Sequence, residues 1–304
     1  VSDHLIQTKY KLFFMVLPFM IFVFVFAYLP LWGWLYAFVD YRPGMSIFRM
    51  DFVGLKWFRM LVYSEQQVYE IIRVLKNTLG MSFLNLFFSF LPMAFAILLY
   101  EIRSNRMRRV VQTLTTIPHF ISWVLVFSVV FSLLSVDSGV VNGLLVNLGV
   151  IEKPINFLAS SEHIWIKMTM LDIWKGLGWG AILYLAAING ISQDLYEAAR
   201  IDGAGRFRCI WHITVPGLLP TYFVLLLLAV ANMINTGMDQ YFVFSNAMNK
   251  SSIEVLDLYT YNIGLLKGNF SLATVISILK SFVSLTLLFS VNRLSKTLRG
   301  ESIF

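Results

Sequence analysis

Long uninterrupted apolar runs, rather than an alternation of apolar and polar positions, organise this chain. Six segments stand out, at residues 12–36, 77–100, 117–134, 166–188, 217–236 and 272–291. Each is near the roughly 20 residues a helix needs to cross hydrocarbon, where a lone segment must satisfy its own backbone N–H and C=O groups. The first three have no Asp, Glu, Lys or Arg. The fourth carries Asp172 and Lys175 beside Gly176, Gly178 and Gly180, which predicts close packing inside a bundle. The sixth carries a single charge, Lys280. Pro18, Pro30 and Pro92 predict kinks within the spans or at their ends. The pattern predicts an all-α, polytopic membrane protein with about six transmembrane helices.

Composition agrees. Of 304 residues, 58% are hydrophobic and 13% charged, about half the charged share of a soluble domain. The net charge of +7 does not point to nucleic acid, because the basic residues cluster beside the apolar runs in the manner of membrane topology. Lys9 and Lys11 precede the first run. Arg103, Arg106, Arg108 and Arg109 follow the second, Arg200, Arg206 and Arg208 the fourth, and Arg293, Lys296 and Arg299 the sixth. These clusters fall on one side, predicted to be cytoplasmic with both termini. The first outer loop (Arg42, Arg49, Lys56, Arg59, Arg73, Lys76) is basic too. The compact loop after the second run decides the orientation, since short connections weigh most. Tyr10, Tyr28, Trp32, Trp34, Tyr36, Trp123, Trp165 and Tyr222 at span edges suit interfacial belts. The first run is long enough to remain as an anchor and is not followed by a small-residue cleavage site.

Candidate chemistry narrows by subtraction. Cys209 is the sole cysteine, and His4, His119, His163 and His212 stand far apart, so neither a disulfide framework nor a metal cluster is expected. There is no GxxxxGK[ST] phosphate loop, so the chain does not supply an ATPase. No paired acids, or His with an acid, converge near one interface, as an intramembrane enzyme would need. A proton-coupled carrier is disfavoured by the lack of an inverted repeat or a chain of buried acids.

The loop at 191–216 is the most specific segment. Asp194 as N-cap, with Glu197 three residues on, predicts a short helix through Glu197-Ala198-Ala199-Arg200-Ile201. Gly203 and Gly205 stop it, a second short helix covers about 207–213, and Pro216 marks a break before the fifth span. Ala198 and Ala199 allow close approach by a partner. Phe207, Ile210 and Trp211 are expected to anchor the hairpin, and Glu197 to pair with a basic residue.

Glu197-Ala198-Ala199, then Gly203, then Ile213-x-x-Pro216, resembles the EAA loop of binding-protein-dependent ABC importer permeases. The resemblance implies that this loop is a coupling helix docking into a cytoplasmic ATPase, with Glu197, Ala198, Ala199, Asp202, Gly203 and Pro216 in that role. Val215 stands where leucine is usual. The stretches Tyr28-Leu-Pro30, Phe38-Val-Asp40-Tyr41-Arg-Pro43 and Phe52-Val-Gly54-Leu55-Lys56-Trp57-Phe58 are similar to the start of carbohydrate-type permeases encoded first of a pair. Val255 to Gly264 and Ser271 to Ser281 are similar to the polysaccharide and oligosaccharide branch. The implied arrangement is an N-terminal helix and outer loop at 1–76, a permease core at 77–293 and a cytoplasmic tail at 294–304. The implied partners are a second homologous permease, two copies of a cytoplasmic ATPase that bind ATP and Mg, and an extracytoplasmic solute-binding protein. The chain itself would hold no cofactor, contact lipid in the bacterial inner membrane, and form half a pathway. Import of another solute, such as peptide, is the alternative within the family.

For the pathway itself, polar residues at bilayer depth are the candidates, since a charge there costs about 2.5–3.5 kcal/mol on insertion scales unless partnered or wet. Lys280 is a candidate facing an acidic sugar. Asp172 and Lys175, three apart, either neutralise one another or snorkel. Asn232 and Asn235 suit sugar hydroxyls or join helices. Trp174 and Trp179 either stack on sugar rings or pack, and Asp239, Gln240 and Tyr241 complete the set.

Overall fold

The computed structural model describes residues Ser2–Arg299, without the side chains of residues 2–9, 48, 294 and 297–299. The side chains of His4, Lys9 and Arg299, and residues 300–304 of the predicted tail, fall outside the described residues. The described residues are almost wholly helical, and the one β-bridge joins Val39 and Phe52. In chain order the helices are α1 (Ser2–Val23), α2 (Lys56–Tyr63), α3 (Glu65–Phe87), α4 (Leu91–Tyr100), α5 (Asn105–Phe120), α6 (Trp123–Leu134), α7 (Val140–Asn147), α8 (Ile164–Asn189), α9 (Gln193–Ile201), α10 (Arg206–Cys209), α11 (Val215–Ala231), α12 (Asp239–Phe244), α13 (Lys250–Ile253), α14 (Leu256–Tyr261) and α15 (Phe270–Arg299).

Among the described residues, five helical stretches are long and apolar enough to cross a membrane: Tyr10–Phe38, Glu65–Tyr100, Ile164–Asn189, Arg206–Ala231 and Phe270–Arg293. They contain the first, second, fourth and sixth predicted spans, and the fifth up to Ala231. Their outward surfaces are greasy: Phe14, Met15, Phe19 and Phe26 are each more than 60% exposed, as residues facing lipid rather than water would be.

The third predicted span, 117–134, is not one straight helix. α5 and α6 meet at a 107° bend. Pro118 sits in the last turn of α5, Ile121 is extended, and the Ser122 hydroxyl caps α6 by accepting from Leu125 N at 3.4 Å. A proline and a cap four residues apart end one helix and begin another. The 12 residues of α6 rise only about 18 Å at 1.5 Å per residue, short of the roughly 30 Å core. Six crossings result only when the bent pair counts as one.

Contacts divide the chain into two compact units: the chain up to Val68 with Thr260–Leu279, and Tyr69–Tyr259 with the chain from Lys280 onward. In the first, buried Ala37, Val275 and Ile278 pack with Phe38, Trp57, Phe58 and Leu61. The Ser271 hydroxyl ties the loop down, donating to Val39 O at 2.8 Å and accepting from Tyr41 N at 3.1 Å. In the second, Ala96, Ile97, Ala181, Tyr184, Ile188 and Leu218 form a core joining α4, α8 and α11.

Glycine sets the depth of packing on α8. A Cβ on Gly178 would lie 2.3 Å from Thr115 O on α5, and one on Gly180 3.0 Å from Pro92 on α4. Gly176 has nothing within 4 Å, so two of the three predicted packing glycines serve that purpose. Arg73, predicted in the first outer loop, lies on α3 and is neutralised by Glu70 at 2.5 Å and by the buried Glu254 at 2.6 Å.

Candidate functional site: interhelical hairpin and polar cavity

The hairpin begins at Ser192, whose hydroxyl accepts from Asp194 N at 3.3 Å, so Ser192 rather than Asp194 caps α9. Asp194 lies in the first turn and Arg200 in the last, where each complements the helix dipole. The helix ends in a Schellman motif. Gly203 takes φ +76°, its N–H donates to Arg200 O at 3.0 Å, and Ala204 N donates to Ala199 O at 2.8 Å. Gly205 then caps α10 without a side chain.

Pro216 does not mark a break. α10, a wide π turn over Ile210–Thr214 and α11 form one continuous stretch, Arg206–Ala231. In the wide turn Val215 N reaches back to Ile210 O, leaving a carbonyl that the missing N–H of Pro216 need not fill. The two arms are joined side to side, the Tyr196 hydroxyl meeting Thr214 Oγ1 at 2.9 Å with both residues buried. Burial pushes the Tyr196 hydroxyl above the ordinary tyrosine range, although the Thr214 hydrogen bond opposes this. The phenol therefore stays protonated at neutral pH.

α9 has two faces. Gln193, Tyr196 and Arg200, spaced for one side of a helix, border a cleft shared with Tyr100, Glu101, Arg103 and Arg108. Asp194, Glu197, Ala198 and Ile201 make the opposite stripe, and all four are exposed, Ile201 at 86%. Glu197 has no ion pair among the described residues, contrary to the expected pairing. Of the three expected anchors only Ile210 packs against the core, while Phe207 is 89% and Trp211 70% exposed. An apolar tip held on a helix with no partner in its own chain is unusual outside lipid.

The second candidate is a cavity of about 230 Å³ lined by Ser82, Asn85, Asp172, Asn232, Asn235, Gln240 and Tyr241, among others. Three of its amides already donate within the protein. Asn232 Nδ2 donates to Leu228 O at 2.9 Å, Asn235 Nδ2 to Ser284 Oγ at 3.2 Å and Gln240 Nε2 to Met168 O at 2.8 Å. Ser82 Oγ donates to Met233 O at 2.5 Å. The amide oxygens of these residues accept nothing among the described residues, and Asn85 Oδ1 is buried with no partner. Asp172 adds a carboxylate. The cavity thus offers acceptors to a ligand that brings donors.

Of the predicted pathway residues, the structure brings Asn232, Asn235 and Gln240 together here, with Asp172 and Tyr241. Trp174, Lys175, Asp239 and Lys280 do not line the cavity. Lys175 donates to His119 O at 2.7 Å and lies 5.4 Å from the Trp123 ring centre, in place of an ion pair with Asp172. Trp179 stacks on His119 with ring centres 4.6 Å apart, a packing role. Lys280 pairs with Asp257, which also accepts from Gly237 N at 2.9 Å. Ser82 and Asn85 are additions to the predicted set, and their signal is that Ser82, Asn85 and Ser89 form a helical stripe of polar residues in an otherwise apolar run.

Residues 89–300 match the family of binding-protein-dependent transport system inner membrane components. Two curated relatives from Bacillus subtilis (strain 168) align over nearly all of the chain. The polygalacturonan/rhamnogalacturonan transport system permease protein YteP is 42% identical over 301 residues, 99% of this chain and 92% of that protein. Protein LplB is 37% identical over 294 residues, 96% of this chain and 91% of that protein. Among solved structures, a bacterial ABC transporter involved in the import of the acidic polysaccharide alginate matches with TM-score 0.84 and 33% identity, covering 97% of this chain and 98% of the other. A bacterial alginate ABC transporter in complex with alginate pentasaccharide-bound periplasmic protein matches with TM-score 0.85 and 32% identity, covering 98% of both. With more than half of its length matched, the chain belongs to the family of inner membrane components of binding-protein-dependent transport systems.

Proposed function

We propose that α9 and the turn after it are the lever through which a cytoplasmic ATPase drives this subunit, and that the acceptor-lined cavity contacts the passing solute. The chain is a multi-pass inner-membrane permease subunit of a carbohydrate ABC importer. The observation that carries the lever reading is the open stripe Asp194, Glu197, Ala198 and Ile201, continued by exposed Phe207, on a helix clamped through Tyr196 to Thr214 in the wide turn that leads into α11. Coupling residues are Glu197, Ala198, Ala199, Asp202, Gly203 and Pro216, the last two acting through backbone shape. The hairpin and both termini lie on the cytoplasmic side.

The assembly is this chain, a second homologous permease, two ATPase subunits holding ATP and Mg, and an extracytoplasmic binding protein. The permease core, 77–293, forms half the pathway. ATP binding shifts the equilibrium to one conformation by its differential affinity for the two. In the cavity, the free oxygens of Asn85, Asn232, Asn235 and Gln240 with the Asp172 carboxylate accept from sugar hydroxyls. Lys280, paired with Asp257, does not serve as a free cation for an acidic sugar.

The test is co-purification from the native membrane. Glu197→Lys and Ala198→Arg replace exposed side chains, so they should leave the partner permease attached while the ATPase is lost. If the ATPase stays with the double variant, α9 is not the docking element.

A further inference from the structure

The inner side of α9 faces the cleft that borders Tyr100, Glu101, Arg103, Arg108, Arg200 and Arg206, with a volume of about 730 Å³. That is within the range of small-ligand sites. Its charge is lopsided. Four guanidinium groups line it against one carboxylate, Glu101, which Arg206 approaches at 3.7 Å. Arg108 is spent on an amide, donating to Asn105 Oδ1 at 2.7 Å. Arg103 and Arg200 have no carboxylate within 4.0 Å among the described residues. The walls belong to different elements: Arg200 stands on α9 and Arg206 just past the turn, while Tyr100, Arg103 and Arg108 stand at the ends of α4 and α5. One neutral contact already spans them, Gln193 Nε2 donating to the Tyr100 hydroxyl at 3.2 Å.

We infer that this cleft binds a phosphate-bearing ligand that bridges Arg200 to Arg103 and so clamps the hairpin to the bundle. Planar guanidinium forks match phosphate oxygens in pairs. Two forks on separate elements, neither matched by a carboxylate, call for an anion with several acceptor oxygens. The site is on the face of α9 opposite Glu197 and Ala198. A ligand there stiffens the lever without competing with what docks on the open stripe. Binding itself does not depend on the lever reading; its consequence for coupling does. The phosphate comes either from an anionic lipid headgroup, since the cleft opens where the apolar helix α4 ends, or from a soluble phosphorylated solute.

The test uses the full importer complex in nanodiscs of phosphatidylcholine, with and without phosphatidylglycerol. Native mass spectrometry counts retained phosphatidylglycerol, and calorimetry follows inorganic pyrophosphate added to phosphatidylcholine discs. The Arg103→Gln/Arg200→Gln variant is compared with Arg106→Gln/Arg109→Gln, which removes two nearby exposed arginines that do not line the cleft. Charge-assisted hydrogen bonds predict at least a tenfold loss of binding in the first variant and none in the second. Retained phosphatidylglycerol identifies a lipid occupant and pyrophosphate binding a soluble one. No binding of either probe, or equal losses in the two variants, overturns the site. ATPase retention, scored on the same samples, reports separately on the lever.

Discussion

Removing the Tyr196 hydroxyl tests whether the hairpin moves as one body. In Tyr196→Phe the ring stays, but Thr214, 1% exposed, loses the partner its hydroxyl has at 2.9 Å. Stranding a buried polar group costs about 1–3 kcal/mol, whereas replacing both partners by apolar groups of similar shape is nearly neutral. We therefore expect Tyr196→Phe to lower the opening free energy of the hairpin by about 2 kcal/mol, and Tyr196→Phe/Thr214→Val to recover most of it. The assay is amide hydrogen exchange of the segment 192–214 in the reconstituted complex. A loss of about 2 kcal/mol makes the protected amides of Gly203 and Ala204 exchange about 30-fold faster under conditions where closing outpaces exchange, so that the rate follows the opening equilibrium. The double variant should exchange within a few-fold of the wild type. Because burial raises the tyrosine pKa, the protonated form is favoured by folding. Its contribution is complete below the unfolded value and is lost only as pH rises through the higher folded one, so the result should not change across neutral pH. Equal exchange in wild type and Tyr196→Phe, or no recovery in the double variant, would refute the reasoning.

Three further outcomes follow from the packing and the cavity. Gly178→Ala places a Cβ 2.3 Å from Thr115 O and should cost about 1–3 kcal/mol through overpacking, read as lower thermal stability of the purified complex; Gly176→Ala, with open space around it, should not. Lys280→Met strands the Asp257 carboxylate and should reduce the folded yield, while Lys280→Met/Asp257→Asn should restore much of it; equal yields in the two would argue against a structural pair. Asn85→Leu removes a buried free acceptor from the cavity and should lower solute uptake about tenfold, the value of one well-placed hydrogen bond, with subunit association unchanged.

The spans were legible because burial in lipid needs only length and apolarity, which a one-dimensional pattern records. The bend between α5 and α6 was written there too, in Pro118 and Ser122, but a window of apolar residues averages over a cap and a proline. Local preference does not separate Ser192 from Asp194, since both are good caps, and the choice depends on where the chain leaves α8. The continuity through Pro216 was hidden because a π turn has no composition of its own: it forms where neighbouring packing tolerates an extra residue.

By itself, the sequence determined the class of protein, the apolar helices and the hairpin with its Gly203 stop, all of which rest on local preference or on transfer from water to lipid. Only the tertiary structure decided which polar residues act together. Asn85 and Asn232 are far apart in the chain and line one cavity, while Lys175 turns from nearby Asp172 to the His119 carbonyl. A polar group in a span takes whichever partner the packed helices bring within reach. Close approaches such as that of Gly178 to Thr115 fix this choice, and no spacing along the chain encodes it.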